Sequence, residues 1–159
     1  MNRHRTSHVL FFPVVLSLLF FLSGCSHTKI AAPAPVDATG SVRDQIVQVA
    51  HSVLGQPYRF GGKGPENFDC SGLVVFAYEG GGVSVPPPTE NMMKLGDEID
   101  SRLVLPGDLV FFSIGKEYHV GIVVNRFAFI HASKSRGVAV DRLDSPYWKK
   151  RTLSFRRLL

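Results

Sequence analysis

The strongest constraint on the fold is a division of the chain into two kinds of pattern. From Leu109 onward, five short apolar or alternating runs follow one another: "LVFFS", "HVGIVV", "FAFIHAS", "GVAVDRL" and "TLSFRRL". Short runs of this kind, bounded by turn residues, are strand signals. Before Leu109 the spacing is helical. In "SVRDQIVQVAHSVLG", Val42, Ile46, Val49, Ala50 and Val53 fall on one stripe. Ser41 is placed to cap this helix with Asp44 as its capping-box partner, and Gly55 to end it in the left-handed conformation. His51 falls on the opposite side from Val42 and is read as a surface residue. Helices first and antiparallel strands later mean an α+β domain, N-terminal helices packed on a sheet of about five strands, rather than a βαβ repeat.

Two segments between these regions take their reading from their flanks. "SGLVVFAYEGGG" contains a short run that propensity alone allows as a strand. Asp69 or Ser71 can cap it as a helix and Gly80 can close it, so a helix opening at Cys70 is expected. "PPPTENMMKLG" is expected to turn into a short helix ending at Gly96. "GQPYRFGGKGPENF" is a Gly- and Pro-rich loop. Its Tyr58 and Phe60 either wall a cleft or cover the core.

The N-terminal segment lies outside this domain. Arg3 and Arg5 precede an apolar run from Val9 to Leu22, shorter than the roughly 20 residues of a bilayer span. It is read as a signal peptide, residues 1–24. It ends in "LSGC", which resembles a bacterial lipoprotein signal. That resemblance implies that Cys25 becomes the acylated (palmitate-bearing) first residue of the mature chain and holds it to a membrane. Ordinary cleavage near "KIAAPAP" is the alternative. Ser26 follows in place of the aspartate that signals inner-membrane retention in Gram-negative lipoproteins, which, for a host with a Gram-negative envelope, points to the outer membrane, facing the periplasm. Residues 25–40, rich in Ala and Pro, are read as a tether, and residues 41–159 as the domain.

With Cys25 committed to lipid, Cys70 is a free thiol in an oxidising compartment. A buried core residue, a zinc ligand or a nucleophile remain as readings. A helix N-terminus lowers a thiol pKa, and its unpaired N–H groups can hold an oxyanion. Polar Asp69 and Ser71 beside Cys70 favour the nucleophile. A base must come from a distant histidine, His119 or His131. These are 12 residues apart. Strand side chains alternate faces, so an antiparallel hairpin puts both imidazoles on one face only with an odd loop. A three-residue loop Val124-Asn125-Arg126 sets His119 directly opposite His131. One can then act as base and the other as its orienter. Asp108, in "PGD", is read as a turn residue.

"GQPYRFGG", "FDCSGLV", "PGDLVFF", "HVGIVV" and "FIHAS", in this order, resemble the NlpC-type peptidoglycan endopeptidases over about residues 42 to 157. The resemblance implies a papain-like α+β fold and hydrolysis of the D-glutamyl–diamino acid bond, or a related crosslink, in peptidoglycan stem peptides. No cofactor and no metal are implied. It implies Cys70 as nucleophile, His119 as general base and His131 as orienter. Tyr58 matches a tyrosine near the nucleophile, and Asp69 and Ser71 match positions that contact substrate. "PPPTENM" departs from the family pattern: Pro87 stands where an arginine helps hold the substrate carboxylate and Met92 where a glutamine is usual, while Thr89 keeps a hydroxyl at a substrate-binding position. The departure leaves open which peptide bond is cut.

Other classes are set against this reading. A formal charge of +5, which includes Arg3 and Arg5, is too mild to indicate nucleic acid, and no nucleic-acid motif or phosphate loop is present. The basic "YWKKRTLSFRR" is a solvated face or an attraction to anionic cell-wall polymer or lipid headgroups. A monomer is expected. A non-catalytic peptidoglycan-binding or assembly lipoprotein, or an acyltransferase or amidase on the same fold, are the alternatives.

Overall fold

The computed structural model describes residues 38–159. Helix α1 (Ala38–Ser52) begins three residues before Ser41, so Ser41 lies inside the helix rather than at its cap. Its stripe is buried through Ile46 and Ala50, and Gly55 beyond it has φ +83°. Helix α2 (Cys70–Gly80) opens at the cysteine. Asp69 is its N-cap, with the carboxylate accepting from the Gly72 N–H at 2.7 Å. Two one-turn helices follow later, α3 (Thr89–Met92) and α4 (Pro146–Lys149), the latter capped by Ser145.

The strands are β1 (Asp97–Ile99), β2 (Leu109–Ile114), β3 (Glu117–Asn125), β4 (Ala128–Ser133), β5 (Gly137–Arg142) and β6 (Thr152–Arg157). They form one antiparallel sheet in the order β1-β6-β2-β3-β4-β5. The five expected strands are present, and β1 adds a short sixth at the edge. The result is the α+β architecture expected from the order of patterns.

Both faces of the sheet are covered. Leu109, Phe111, Val120, Ile122, Ile130 and Ala132 pack under α1 and α2. Their neighbours in sequence, Val110, Phe112, Val123 and Phe129, point the other way and close around Trp148 of α4. Double coverage explains why "LVFF" is continuous rather than alternating. His119 and His131 alternate with Val120, Ile130 and Ala132, so they project on the Trp148 side.

The hairpin between β3 and β4 differs from the sequence reading. Val123 pairs with Phe129, Asn125 with Ala128, and the register shifts between them. The turn is therefore Arg126-Phe127, an even loop, with Val124 as an extra residue in β3. The Asn125 carboxamide accepts from the Phe127 N–H at 2.9 Å and fixes that turn. The bulge restores the parity that an even loop would have broken. The two histidines share a face as expected, but they sit diagonally instead of directly opposite.

Asp108 opens β2 with its carboxylate fully buried. It accepts from Arg43 of α1 at 2.9 Å, from Arg157 of β6 at 2.7 and 3.1 Å, and from the Leu105 N–H at 2.7 Å. It is a turn residue, and also the joint between α1 and the sheet.

Candidate active site

Cys70 is the first residue of α2, and α2 is set by close backbone approach. A Cβ on Gly72 would stand 1.9 Å from the Gly62 carbonyl oxygen, so only glycine lets the helix start lie on the Tyr58 loop. The Asp69 N–H donates to that same carbonyl at 2.9 Å, and the Gly61 N–H donates to the Asp69 carboxylate at 2.8 Å. At its other end the loop is paired to β5 through Gly55, Gln56 and Val138. Tyr58 and Cys70 are thus held by one continuous network.

Cys70, Tyr58, His119, His131, Asp141 and Trp148 line a single cavity of about 650 Å³. The Cys70 sulfur lies 3.7 Å from the Thr89 hydroxyl and is approached by the backbone N–H groups of Val120 and Ser71. Burial pushes the thiol pKa up, and Asp69 adds to this. The Thr89, Val120 and Ser71 contacts oppose the rise without cancelling it. The sequence reading expected a lowered pKa from the helix N-terminus. Here desolvation of the thiolate is the largest cause, and the shift is upward.

His119 Nε2 lies 2.9 Å from His131 Nδ1, with the rings nearly perpendicular at 87°. Trp148 stacks on His119, with ring centroids 5.7 Å apart and planes at 20°. Burial is the main cause that lowers the His119 pKa, to about 3, with His131 and Lys134 adding to it. Burial also lowers His131, against the opposing pull of Asp141. The resting site therefore combines a protonated thiol with neutral imidazoles.

The remaining sequence candidates sit elsewhere. Asp69 is engaged as cap and loop clamp, and the buried Ser71 hydroxyl lies 3.0 Å from the same carboxylate. Thr89 is buried behind the thiol. None of these three lines the cavity. His51 is exposed. Among the described residues, no group of three or more His, Cys, Asp or Glu is placed to hold a metal ion.

Sequence reasoning passed over two members of the site. Asp141 Oδ2 lies 3.1 Å from His131 Nε2, and it accepts from Trp148 Nε1 at 2.9 Å and from Arg136 at 2.6 Å. A signal for Asp141 existed. It is 10 residues from His131 across a second hairpin, and the face-parity argument used for the histidines applies equally there. Trp148 carried no such signal, because its place depends on the short helix α4.

A family model described as the NlpC/P60 family matches residues 55–157. The chain is 38% identical over 157 residues to a probable endopeptidase NlpC of Escherichia coli (strain K12), covering 92% of this chain and 99% of that one. It is 37% identical over 135 residues to a gamma-DL-glutamyl hydrolase of Bacillus subtilis (strain 168), covering 81% of this chain and 31% of that one. Among solved structures it resembles an NlpC/P60 family protein from Bacillus cereus ATCC 10987. That match has a TM-score of 0.69 and 28% identity, over 74% of this chain and 40% of that one.

Proposed function

Because the chain belongs to the NlpC/P60 family, we propose that it is a peptidoglycan endopeptidase acting through Cys70, with His119 as general base and His131 as its orienter. The observation that carries this reading is the meeting of a helix-opening cysteine and a hydrogen-bonded histidine pair in one cavity. The substrate is a stem peptide, cut at a γ-D-glutamyl bond to a diamino acid or at a related crosslink. The E. coli relative bears the name of an endopeptidase and the B. subtilis relative that of a glutamyl hydrolase, which supports this class.

The chemistry balances with the groups present. His119 takes the Cys70 proton as sulfur attacks the amide carbonyl. Negative charge moves to the carbonyl oxygen, where N–H groups of the first turn of α2 and the Tyr58 hydroxyl donate to it. The tetrahedral adduct collapses to a thioester as the C–N bond breaks, and protonated His119 gives its proton to the leaving amine. Water then attacks the thioester, losing a proton to His119. The proton returns to sulfur as the acid leaves. Neutral imidazole at rest suits His119 to the first step.

The same reading includes a signal segment of residues 1–24, a lipid on Cys25, a linker and a domain ending at Leu159. It places a monomer at the cell envelope, and in a Gram-negative host on the outer membrane, facing the periplasm. Residues 1–37 lie outside the described residues, and "LSGC" supports this part. Among the described residues no helix is long and apolar enough to cross a membrane. Mass spectrometry of the mature N-terminus tests it: an unmodified start beyond residue 25 refutes the lipid anchor.

The decisive experiment is digestion of purified muropeptides by the wild-type domain and by Cys70→Ala, with products identified by mass. Cleavage by wild type and none by a folded Cys70→Ala is expected. Equal cleavage by both ends the cysteine mechanism, and wild type cleaving no muropeptide ends the endopeptidase reading.

A further inference from the structure

Three donors converge on one atom at the back of the cavity. Arg136 Nη2, Trp148 Nε1 and His131 Nε2 lie 2.6, 2.9 and 3.1 Å from the same oxygen, Asp141 Oδ2. Guanidinium and indole N–H groups only donate, so this oxygen only accepts. We propose that Asp141 is a positioning residue that fixes the tautomers of both histidines and so leaves His119 Nδ1 bare to take the thiol proton. The inference rests on the reading of Cys70 and His119 as nucleophile and base.

The proton count runs along the chain of contacts. An accepting Oδ2 requires the hydrogen of neutral His131 to be on Nε2. That leaves His131 Nδ1 as a lone pair. The 2.9 Å contact to His119 Nε2 is then a hydrogen bond only if His119 donates, which puts its hydrogen on Nε2. His119 Nδ1 is the remaining lone pair of the system. With the relay reversed, Nδ1 would carry a hydrogen and be useless as a base. The alternative arrangement is excluded because it needs a donor where Arg136 and Trp148 already point N–H groups. Position supports the same role. Asp141 is on β5, where Phe129 is its cross-strand partner, and His131 is paired with Ala139, so Asp141 and His131 are diagonal neighbours on one face.

A specific consequence separates Asn from Leu at this position. In Asp141→Asn the two obligate donors force the amide oxygen into the Oδ2 place, so the acceptor and the tautomers survive and only the charge is lost. In Asp141→Leu the acceptor itself is gone. A wrong tautomer at a catalytic imidazole costs about 10⁴-fold in a serine triad, and here the control lies one imidazole further from the nucleophile. Asp141→Leu should lower kcat by about 10²-fold with KM little changed. Asp141→Asn should lose only about 10-fold, because positive charge on the histidine pair is less stabilised.

The test combines kcat and KM on muropeptides with ¹⁵N NMR of the histidine side chains. Wild type and Asp141→Asn should both show His119 protonated at Nε2, and Asp141→Leu a mixture of tautomers. If Asp141→Leu keeps the wild-type His119 spectrum, or if Asn and Leu lose kcat equally, the positioning role is wrong. Should the Leu variant fail to fold, the Asn variant decides alone: an altered tautomer overturns the proposal, and an unchanged one with reduced kcat supports it. The spectra do not depend on turnover. A wild-type domain that cleaves nothing would sink the functional reading while leaving Asp141 to be judged by its tautomers.

Discussion

Replacing Asp108 with alanine should cost a large part of the domain's stability. Its carboxylate has no solvent exposure, and it receives Arg43, exposed to 11%, and Arg157, exposed to 26%. Removing one partner of a buried ion pair leaves the other charge uncompensated, at about 3–5 kcal/mol. Arg157 can regain water and Arg43 keeps its bond to the Pro106 carbonyl at 2.8 Å, so the lower end, about 3 kcal/mol, is expected. That is a large share of the ~5–15 kcal/mol that holds a domain together. Urea unfolding followed by Trp148, the single tryptophan of the chain, reads it directly. With a slope near 2 kcal/mol per molar, the midpoint should fall by about 1.5 M with the slope unchanged. Asp108→Asn keeps the shape and one acceptor and should fall between. A loss under about 1 kcal/mol for the alanine variant would mean that water already screens the pair, and the argument from burial would be refuted.

Four further outcomes follow from the site. Burial lowers the His119 pKa to about 3, so the neutral, competent imidazole persists as pH falls, and the acid limb of kcat/KM should lie well below the 6.5 of an ordinary histidine; a limb centred near 6.5 contradicts this. The same shift makes the unfolded chain the better proton binder below about 6.5, so stability must decline as pH falls through that window toward 3, which acid titration of the urea midpoint will show. Gly72→Ala places a Cβ 1.9 Å from the Gly62 carbonyl and should destabilise by roughly 1–3 kcal/mol while slowing alkylation of Cys70, and unchanged stability would mean the loop yields freely. Tyr58→Phe should lower kcat about 10²-fold with KM unchanged if the hydroxyl serves the oxyanion; an unchanged kcat assigns Tyr58 to the cavity wall alone.

The sequence exposed what depends on local period and hid what depends on distant partners. Five strands were legible because each is a short apolar run between turns. Strand β1 was not, because "DEI" is a polar edge segment defined only by pairing with β6. The helix at Cys70 was legible from its cap, and Asp69 does accept from Gly72. The thiol's raised pKa was not, since it follows from burial that no local pattern records. Asp108 was legible as a turn residue, while its partners lie 49 and 65 residues away. Asp141 was legible in principle by the same parity as the histidines, since it lies 10 residues from His131 across the β4–β5 hairpin and on the same face.

Parity also explains why the histidine pair was found although its register was not. A shared face requires only that opposed residues have numbers of even sum. An odd loop meets that condition, and so does an even loop with one bulged residue, which is the solution adopted around Val124. The two solutions differ in how the imidazoles are offset along the strands. The diagonal offset sets the rings at 87° with centroids 5.0 Å apart, so a nitrogen of one ring faces a nitrogen of the other at 2.9 Å. The bulge therefore sets the offset at which this hydrogen-bonded pair is seen, and that pair is what connects Asp141 to the nitrogen proposed to take the Cys70 proton.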